Sequence, residues 1–371
     1  MNTYLVMKKS FILASLFIFG LSSCSSNNNS SKNLSNGSSE TTSKKEDVYP
    51  YQMLKSFENH PFFSYNVENL FDTIDDPKTI DEAFLPDSKK EWTAVRYHDK
   101  LQKLSTVLTS QNENNPLFFG LVEVENRFVV LDLVQTGKLA STKYRIVHHE
   151  SPDARGIDVA FAYDLERFKV MYEEAIPLTI AAEPNYKTRD ILYVKGLLKD
   201  SIPIHIFVNH WSSRRGGQEK SEYKRMHAAK VLKTKTDSIR KADDAPNILI
   251  MGDFNDYPNN LSIQKFLGTG QQENSAHLVN LMDEMNAAGI GTYNYRGDWG
   301  TLDQFIVSPA LLNQKQIRIK DGKAHIADDD EFMHFLKNGG KTPNKTYGGP
   351  NYFGGYSDHL SIYGYLELLN E

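Results

Sequence analysis

The stretch that decides the fold of this 371-residue chain reads Ile248-Leu249-Ile250-Met251-Gly252-Asp253-Phe254-Asn255-Asp256-Tyr257-Pro258. A short apolar run that stops at a glycine is typical of a buried strand. Asp253 and Asn255 follow directly, where a rigid sheet holds polar groups in fixed positions. Taken singly they are ordinary turn formers, because Asx side chains hydrogen-bond to their own backbone. Their meaning therefore depends on what the other strand ends carry.

The pattern of an apolar strand followed by polar residues recurs along the chain. We predict strands at residues 62–67, 117–122, 157–163, 191–194, 204–209, 248–251, 302–307 and 360–366. Helical spacing of side chains falls between them, around residues 101–108, 226–233 and 278–285. This mixture predicts an α/β fold with helices packed outside sheets. Periodicity leaves open whether the sheets are parallel or mixed.

Six strand ends carry Asn, Asp, Glu or His. The residues are Asn66, Glu68, Glu123, His210, Asp253, Asn255, Asp303, Asp358 and His359. Carboxylate and amide oxygens without thiols are ligands for a hard cation such as Mg²⁺ or Mn²⁺. Two histidines near carboxylates supply the groups for acid/base chemistry at neutral pH. Together these groups favour metal-assisted hydrolysis of a phosphate ester.

The ordered set of motifs resembles the endonuclease/exonuclease/phosphatase superfamily, from about residue 60 to the C-terminus. The motifs that carry the resemblance are Gly252-Asp253-Phe254-Asn255, Leu302-Asp303-Gln304-Phe305 and Ser357-Asp358-His359, with Asn66, Glu123 and His210 in the family's order. The resemblance implies a DNase I-like, four-layer αββα sandwich of two mixed β-sheets. It also implies an active site at one edge of the sandwich and a Mg²⁺ or Mn²⁺ cofactor.

The resemblance implies metal-binding roles for four acidic or amide side chains. Glu123 resembles the principal metal ligand, and Asn66 and Asp358 resemble its companions. Glu68 matches a position that is often acidic in the abasic-site endonucleases of the family.

Catalytic roles are implied for five further residues. Asp303 resembles the aspartate that orients His359, the histidine that activates water. Asp253 and Asn255 match the pair that binds phosphate, positions the nucleophile or contacts a second metal. His210 corresponds to a phosphate ligand or general acid of the secreted nucleases.

Arginines are candidate phosphate contacts, since a guanidinium grips two oxygens. Arg155 precedes a predicted strand and is either such a contact or a solvated loop residue. The densest basic cluster beyond the N-terminal region comprises Arg214, Arg215, Lys220, Lys224 and Arg225. These charges either follow a polyanion's backbone, through Arg214 and Arg215 above all, or form a solvated helix face.

The substrate is predicted by comparing this sequence with the motif patterns of different branches of the family. Gln304 and Tyr257 depart from the pattern of inositol 5-phosphatases, whereas Asn209-His210-Trp211 resembles exported bacterial nucleases. We therefore predict an endonuclease whose partner is nucleic acid. A phosphatase or phospholipase acting on inositol phosphates or phospholipids stays open, as does a non-catalytic surface-binding lipoprotein. The net charge of −5 restricts nucleic-acid contact to local patches.

A Gly- and Tyr-rich loop at about residues 328–356 precedes Asp358. Its rings are Tyr347, Tyr352, Phe353 and Tyr356. They either stack on bases or pack a long loop.

The N-terminal segment has the order of an export signal. Lys8 and Lys9 precede the apolar run 11–21, which is too short for an ordinary membrane span, and Leu21-Ser22-Ser23-Cys24 resembles the lipobox of bacterial lipoproteins. We predict a lipoprotein signal peptide at 1–24, lipidation of Cys24, a flexible tether at 25–48 and a catalytic domain at 49–371. The protein would then be exported and anchored to the membrane of the cell envelope, at the outer membrane or cell surface. A cleaved secretory signal is the alternative, and the sequence indicates no protein partner.

Overall fold

Two seven-stranded β-sheets form the centre of the fold in the computed structural model, which describes residues 57–270 and 277–369. The strands of these sheets and of three hairpins are β1 Phe57–Leu70, β2 Phe118–Val124, β3 Tyr144–His148, β4 Asp158–Asp164, β5 Phe168–Ile176, β6 Ile191–Leu198, β7 Ile202–His210, β8 Ile248–Asp253, β9 Thr269–Gly270, β10 Leu278–Asn280, β11 Tyr293–Tyr295, β12 Asp298–Gly300, β13 Asp303–Val307, β14 Ile317–Ile319, β15 His325–Ile326, β16 Met333–Phe335, β17 Lys341–Pro343, β18 Tyr347–Gly348, β19 Asn351–Tyr352 and β20 Ile362–Leu369.

Both sheets are mixed. The first has the order β14-β20-β1-β2-β4-β3, with β15 also paired to β20, and the second has the order β5-β6-β7-β8-β13-β10-β9. Within the two sheets the pairs β1/β2, β7/β8 and β9/β10 are parallel and the others antiparallel. The structure thus answers the question of strand direction that periodicity left open.

The helices lie outside the sheets. The α-helices are α1 Ala94–Thr109, α2 Arg127–Val134, α3 Gln218–Ala242, α4 Asp283–Ala287 and α5 Ala310–Asn313. Short 3₁₀ segments occupy Glu82–Phe84, Gly137–Ser141, Lys320–Gly322 and Asp330–Phe332, and one π-helical turn occupies Ser262–Leu267.

Alternation along the strands builds three cores. Phe62 of β1 faces the other sheet, and its ring centroid lies 4.9 Å from that of Phe305. The next residue, Phe63, joins the core beneath α1 and α2. On the second sheet, Phe207 of β7 joins the core beneath α3. Two face-to-face sheets with helices on both outer sides make the predicted four-layer αββα sandwich, and the fold prediction is confirmed.

The helix predictions differ in their outcome. Helices α1 and α3 form where the spacing predicts them. The predicted helix at 278–285 is wrong in its first half, because Leu278 lies in β10 and Val279 pairs with Val307 of β13. Helix α4 begins only at Asp283. Short apolar runs do not distinguish a strand from a helix, and sheet pairing decides here.

The predicted signal peptide, Cys24 and the tether lie outside the described residues and stay predictions. Every described residue belongs to the compact unit Leu54–Glu371. Among the residues that the structure describes, no helix is long and apolar enough to cross a membrane.

Candidate active site

Two β-bulges shape the acidic ends of β1 and β2. The register shifts between Asn66 and Leu70 in β1 and between Val122 and Val124 opposite β4. Glu123, inside the second bulge, has a left-handed backbone with φ 66°, and its Oε2 accepts the Asn69 N–H at 3.1 Å. Left-handed non-glycine residues cost about 1–3 kcal/mol and occur preferentially at functional sites. The bulge aims the Glu123 carboxylate into a cleft rather than into the sheet face.

Asp253 lies at the centre of the site. Its Oδ2 accepts hydrogen bonds from Asn66 Nδ2 at 3.1 Å and from Asn255 Nδ2 at 3.2 Å. The Nε2 atoms of His210 and His359 lie 3.7 and 3.9 Å from the same oxygen. The pKa of Asp253 is raised to about 7, chiefly by burial; the charge of His359 opposes the rise and that of Asp303 adds to it. One buried carboxylate oxygen thus faces both histidines.

His359 and Asp303 form a buried pair. His359 Nδ1 lies 2.7 Å from Asp303 Oδ2, which also accepts the Thr292 hydroxyl at 2.6 Å. Burial by itself lowers the pKa of His359, but Asp303, Asp253 and Asp358 raise it well above its usual value. With Nδ1 bound to Asp303, Nε2 is the ring atom that faces the cleft and exchanges a proton.

His210 also lies close to Asp253 Oδ2. Its Nε2 lies 3.7 Å from Glu123 Oε1 as well as 3.7 Å from Asp253 Oδ2, both longer than hydrogen bonds. Burial and the positive charges of Arg189 and Arg155 lower the pKa of His210 well below its usual value. A neutral imidazole at this position suits hydrogen bonding to a ligand more than charge pairing.

Some of the predicted metal ligands face the cleft, whereas Glu68 is occupied by hydrogen bonds to the backbone. Glu123 and Asp358 line the cleft. Both carboxylate oxygens of Glu68 accept backbone N–H groups, from Thr346 at 2.6 Å and from Tyr347 at 3.1 Å, so Glu68 anchors that segment.

The electrostatics of the cleft-facing carboxylates fit a divalent cation. Burial together with the charges of Glu68 and Glu123 raises the pKa of Asp358 to about 7, against the charge of His359. Such crowding of carboxylates is unfavourable, and a hard dication would offset it.

The cleft has a volume of about 670 Å³. The predicted residues that line it are Glu123, Arg155, His210, Arg214, Arg215, Asp253, Asn255, Asp358 and His359. Asn66 and Asp303 are buried and contact this lining from behind. The structure therefore gathers the predicted residues around one opening, although they come from five strands and several loops.

The three predicted arginines are not equivalent. Arg155 and Arg215 are exposed at the cleft. Arg214 is engaged by the protein itself, because its Nε donates to the Asn255 carbonyl at 2.7 Å and its guanidinium lies 4.0 Å from the Tyr257 ring centroid. Arg155 and Arg215 are thus the two more exposed candidates for a phosphate contact, although Arg155 Nε lies 3.4 Å from Asp153 Oδ1.

Two of the five residues of the basic cluster are held by an internal carboxylate, whereas Arg215 and Lys220 are exposed. Arg225 is fully buried, and its Nε lies 2.8 Å from Asp256 Oδ2. Arg214 reaches the other oxygen of Asp256 at 3.1 Å. A single acidic residue in the Asp-Phe-Asn-Asp stretch therefore holds two of the cluster's arginines, which charge counting alone could not reveal.

Sequence reasoning missed the aromatic side of the cleft. Tyr257, Tyr293 and Tyr295 line it, and the Tyr293 ring packs on His359 with centroids 4.8 Å apart. Alternating Tyr293 and Tyr295 before Arg296-Gly297 is a hairpin signal, but nothing in the sequence places this hairpin beside His359.

The loop rings singled out in the sequence mostly pack instead. Tyr347 packs on Trp92, Tyr356 packs on Phe332, and the Tyr352 hydroxyl donates to Asp99. Phe353 alone of these rings is largely exposed, and it does not line the cleft.

The sandwich fold and the histidine–carboxylate cleft define a class, the phosphoester hydrolases with DNase I-like architecture. The sequence model of the Endonuclease/Exonuclease/phosphatase family matches residues 62–368. The chain therefore belongs to this family. Members of this family hydrolyse phosphoesters and typically depend on divalent metal ions. Comparison with curated protein sequences finds no match.

Solved structures share the fold at low identity. The mannosyl-6-phosphatase of Bacteroides thetaiotaomicron is 13% identical, with a TM-score of 0.52, over 83% of this chain and 99% of that one. An endonuclease/exonuclease/phosphatase family protein of the same organism is 13% identical, with a TM-score of 0.51, over 85% and 100%. The human Nocturnin catalytic domain with bound sulfate is 18% identical, with a TM-score of 0.50, over 85% and 98%. At these identities the likeness shows the fold alone.

Proposed function

We propose that this protein is a divalent-metal-dependent phosphodiesterase that cleaves nucleic acid by attack of a water molecule activated by His359. The observation that carries the proposal is the buried His359–Asp303 pair, whose Nε2 faces Asp253 across 3.9 Å at the floor of an arginine-rimmed cleft. A histidine oriented by a buried carboxylate is an arrangement that general-base catalysis uses. A divalent cation among the carboxylates that raise the pKa of His359 would oppose their effect and so favour the neutral ring, which can accept a proton.

Glu123 and Asp358 would hold the metal ion. Asn66 would support the site through Asp253, to which its Nδ2 donates, and its Oδ1 accepts the Glu68 N–H. When bound, Mg²⁺ or Mn²⁺ supplies charge neutralisation at a phosphoryl oxygen. Asp253 and Asn255 would orient the water, because Asn255 Nδ2 is fixed between Asp253 Oδ2 and the Trp211 carbonyl.

The phosphate would lie between the histidines. His210, neutral and buried, would hydrogen-bond a phosphoryl oxygen or the leaving oxygen. Arg155 and Arg215 at the rim would contact the flanking phosphates of a polymer. The tyrosines of the wall offer faces on which a base can stack.

A second candidate is hydrolysis of a small phosphate ester. The loop that carries Arg155 separates the catalytic cleft from an acidic cleft of about 570 Å³, lined by Asp72, Asp75, Asp76, Glu125, Glu150 and Asp153 among others. This concentration of negative charge would repel a long polyanion on that side. A compact substrate, of the kind that the name of the fold relative mannosyl-6-phosphatase indicates for that protein, would avoid it.

The substrate classes are separated by a direct comparison. Purified protein is incubated with supercoiled plasmid DNA, RNA, bis-p-nitrophenyl phosphate, p-nitrophenyl phosphate and inositol phosphates, each with Mg²⁺, Mn²⁺ or EDTA. We expect nicking of the plasmid and faster turnover of the diester than of the monoester. Preference for monoesters would favour the second candidate. Absence of turnover with every ion would contradict both and leave the binding lipoprotein.

Replacing the principal metal ligand is expected to weaken metal dependence. In Glu123→Gln the Mg²⁺ concentration for half-maximal activity should rise at least about tenfold, since even outer-shell changes cost 10–100-fold in metal affinity. The measurement is a Mg²⁺ titration of diester hydrolysis. Glu166→Gln, at an exposed glutamate paired with Lys143, is the control. An unchanged titration in Glu123→Gln would mean that another residue is the principal ligand.

We also propose that Cys24 is lipidated and anchors the exported protein to the cell envelope. The lysines, the short apolar run and the Leu-Ser-Ser-Cys order support this. In a bacterial host, Cys24→Ala should abolish incorporation of labelled palmitate and shift the protein from the membrane to the soluble fraction. Equal labelling of both forms would refute the anchor.

A further inference from the structure

Three metal-ligand side chains meet at the base of the loop that carries Arg155, outside the site described above. His148 ends β3, Glu150 follows in the loop, and Asp158 begins β4. One ring nitrogen of His148 and one oxygen from each carboxylate lie within 4.8 Å of one another. Among residues 57–270 and 277–369, these are the only three such side chains that meet this closely.

Two atoms of this group are buried without a hydrogen-bond partner. The side chains of His148 and Asp158 are only 3% and 2% exposed, and His148 Nε2 lies 3.3 Å from Asp158 Oδ2. Neither atom makes a hydrogen bond. Asp158 Oδ1, in contrast, accepts both the backbone N–H and the hydroxyl of Ser151. Ser151 thereby fixes the carboxylate so that its unused oxygen faces the histidine, and buried polar atoms of this kind are costly unless a ligand satisfies them.

The third ligand provides the route from solvent. The Glu150 side chain is 68% exposed. One of its oxygens lies within 4.8 Å of the same His148 ring nitrogen that the Asp158 oxygen approaches. Glu150 and Ser151 also line the acidic cleft that Asp72, Asp75 and Asp76 surround. Six carboxylates line this cleft, against the two lysines Lys78 and Lys187. An excess of one sign of charge raises the local concentration of counter-ions, here cations.

The donor set selects the ion. An imidazole nitrogen with two carboxylate oxygens suits Zn²⁺, and next Mn²⁺, better than Mg²⁺, which prefers oxygen ligands. Three protein ligands leave a position for water, as the exposure of Glu150 allows. We propose that His148, Glu150 and Asp158 bind a divalent transition-metal ion, with Zn²⁺ as the preferred occupant.

The site would act on the loop between its ligands. Residues 149–157 leave β3 and return at β4, and Arg155 within them reaches the catalytic cleft. The loop is also held by Ser151 on Asp158, by Asp153, which pairs with Arg189 at 3.0 Å, and by the Ala154 carbonyl, which accepts the Ile80 N–H at 2.9 Å. An ion joining both ends of the loop would fix its path and so the position of Arg155. The inference does not rest on the proposed substrate.

The competing arrangement contains no metal. A protonated His148 would pair directly with Asp158, and Glu150 would stay in solvent. The two arrangements differ in whether Zn²⁺ binding depends on Glu150, because only the metal site needs it.

The test counts bound Zn²⁺. The full-length protein is dialysed against Zn²⁺ in excess Mg²⁺, and bound zinc is measured by elemental analysis for wild type, Asp158→Asn and Glu150→Gln, with Glu166→Gln as control. We expect the wild type and the control each to retain one more Zn²⁺ per chain than Asp158→Asn or Glu150→Gln. In these two variants the affinity for that ion should fall by at least about tenfold. Zinc should raise the Tm of wild type and control only.

Glu150→Gln changes an exposed side chain and so reports on the site even if Asp158→Asn does not fold. Equal zinc content and equal Tm shifts in wild type and Glu150→Gln would overturn the proposal and leave the His148–Asp158 ion pair. Failure of catalysis in the substrate comparison would not change this count, so the two proposals fail separately.

Discussion

Replacing His359 by alanine is expected to lower kcat for diester hydrolysis by about 10²–10⁴-fold, the usual contribution of a positioned general base. The variant lacks His359 Nε2, the ring nitrogen that faces Asp253 and would accept the proton of water. In the wild type, the other ring nitrogen, Nδ1, is held by Asp303. The measurement is kcat on bis-p-nitrophenyl phosphate at saturating Mg²⁺, together with the Tm of each protein. We expect the Tm to change little compared with the rate.

Two further variants make this prediction specific. Asp303→Asn keeps the size of the side chain but removes the charge that holds the ring, so it should lose a large part of the same rate factor. His334→Ala, at an exposed histidine outside the cleft, should be indistinguishable from wild type. Near-normal turnover in His359→Ala would refute the role of this histidine.

Adding one methyl group at Gly252 is expected to prevent stable folding. Gly252 has φ +131°, and a Cβ there would lie 1.9 Å from the Asn209 carbonyl oxygen. Gly252 pairs with Asn209 across β7 and β8, next to the His210/Asp253 pair, so relief of the clash must separate the two central strands. We expect Gly252→Ala to lose more than about 4 kcal/mol, the range reached only by severe core or backbone defects.

Gly289→Ala is the matched control for Gly252→Ala. Gly289 also has positive φ, +71°, but a Cβ would meet nothing within 4 Å. It should cost only about 1–2 kcal/mol, the strain of a left-handed alanine. Urea unfolding followed by circular dichroism measures both. Equal stability of Gly252→Ala and Gly289→Ala would contradict the account of this strand pair.

The sequence predicted the fold class and the gathering of the site because both depend on strand ends. Asp253 and His210 end largely apolar strands, whereas Asp303 begins β13. Because β13 runs antiparallel to β8 and β7 runs parallel to β8, strand pairing brings the three residues together. The resemblance to the family supplied the layer order, which periodicity does not contain.

The parts that escaped prediction depend on long-range packing. In the sequence, Arg225 has the pattern of a surface charge, but in the structure it is buried and pairs with Asp256. Tyr293 meets His359 only through a hairpin whose docking has no local signal. Leu278 belongs to a sequence segment with helical spacing, but it lies in strand β10. That strand pairs with β13, where Val279 lies opposite Val307. In each case the deciding partner is far away in the chain, so no window of sequence reveals it.

The most direct test of the central claim is hydrolysis of bis-p-nitrophenyl phosphate by the metal-depleted wild-type protein as Mg²⁺ or Mn²⁺ is added back. We expect no turnover with EDTA, saturable recovery with either ion, and no recovery in His359→Ala at any ion concentration. Turnover that persists in EDTA, or that never appears with either ion, would contradict the claim.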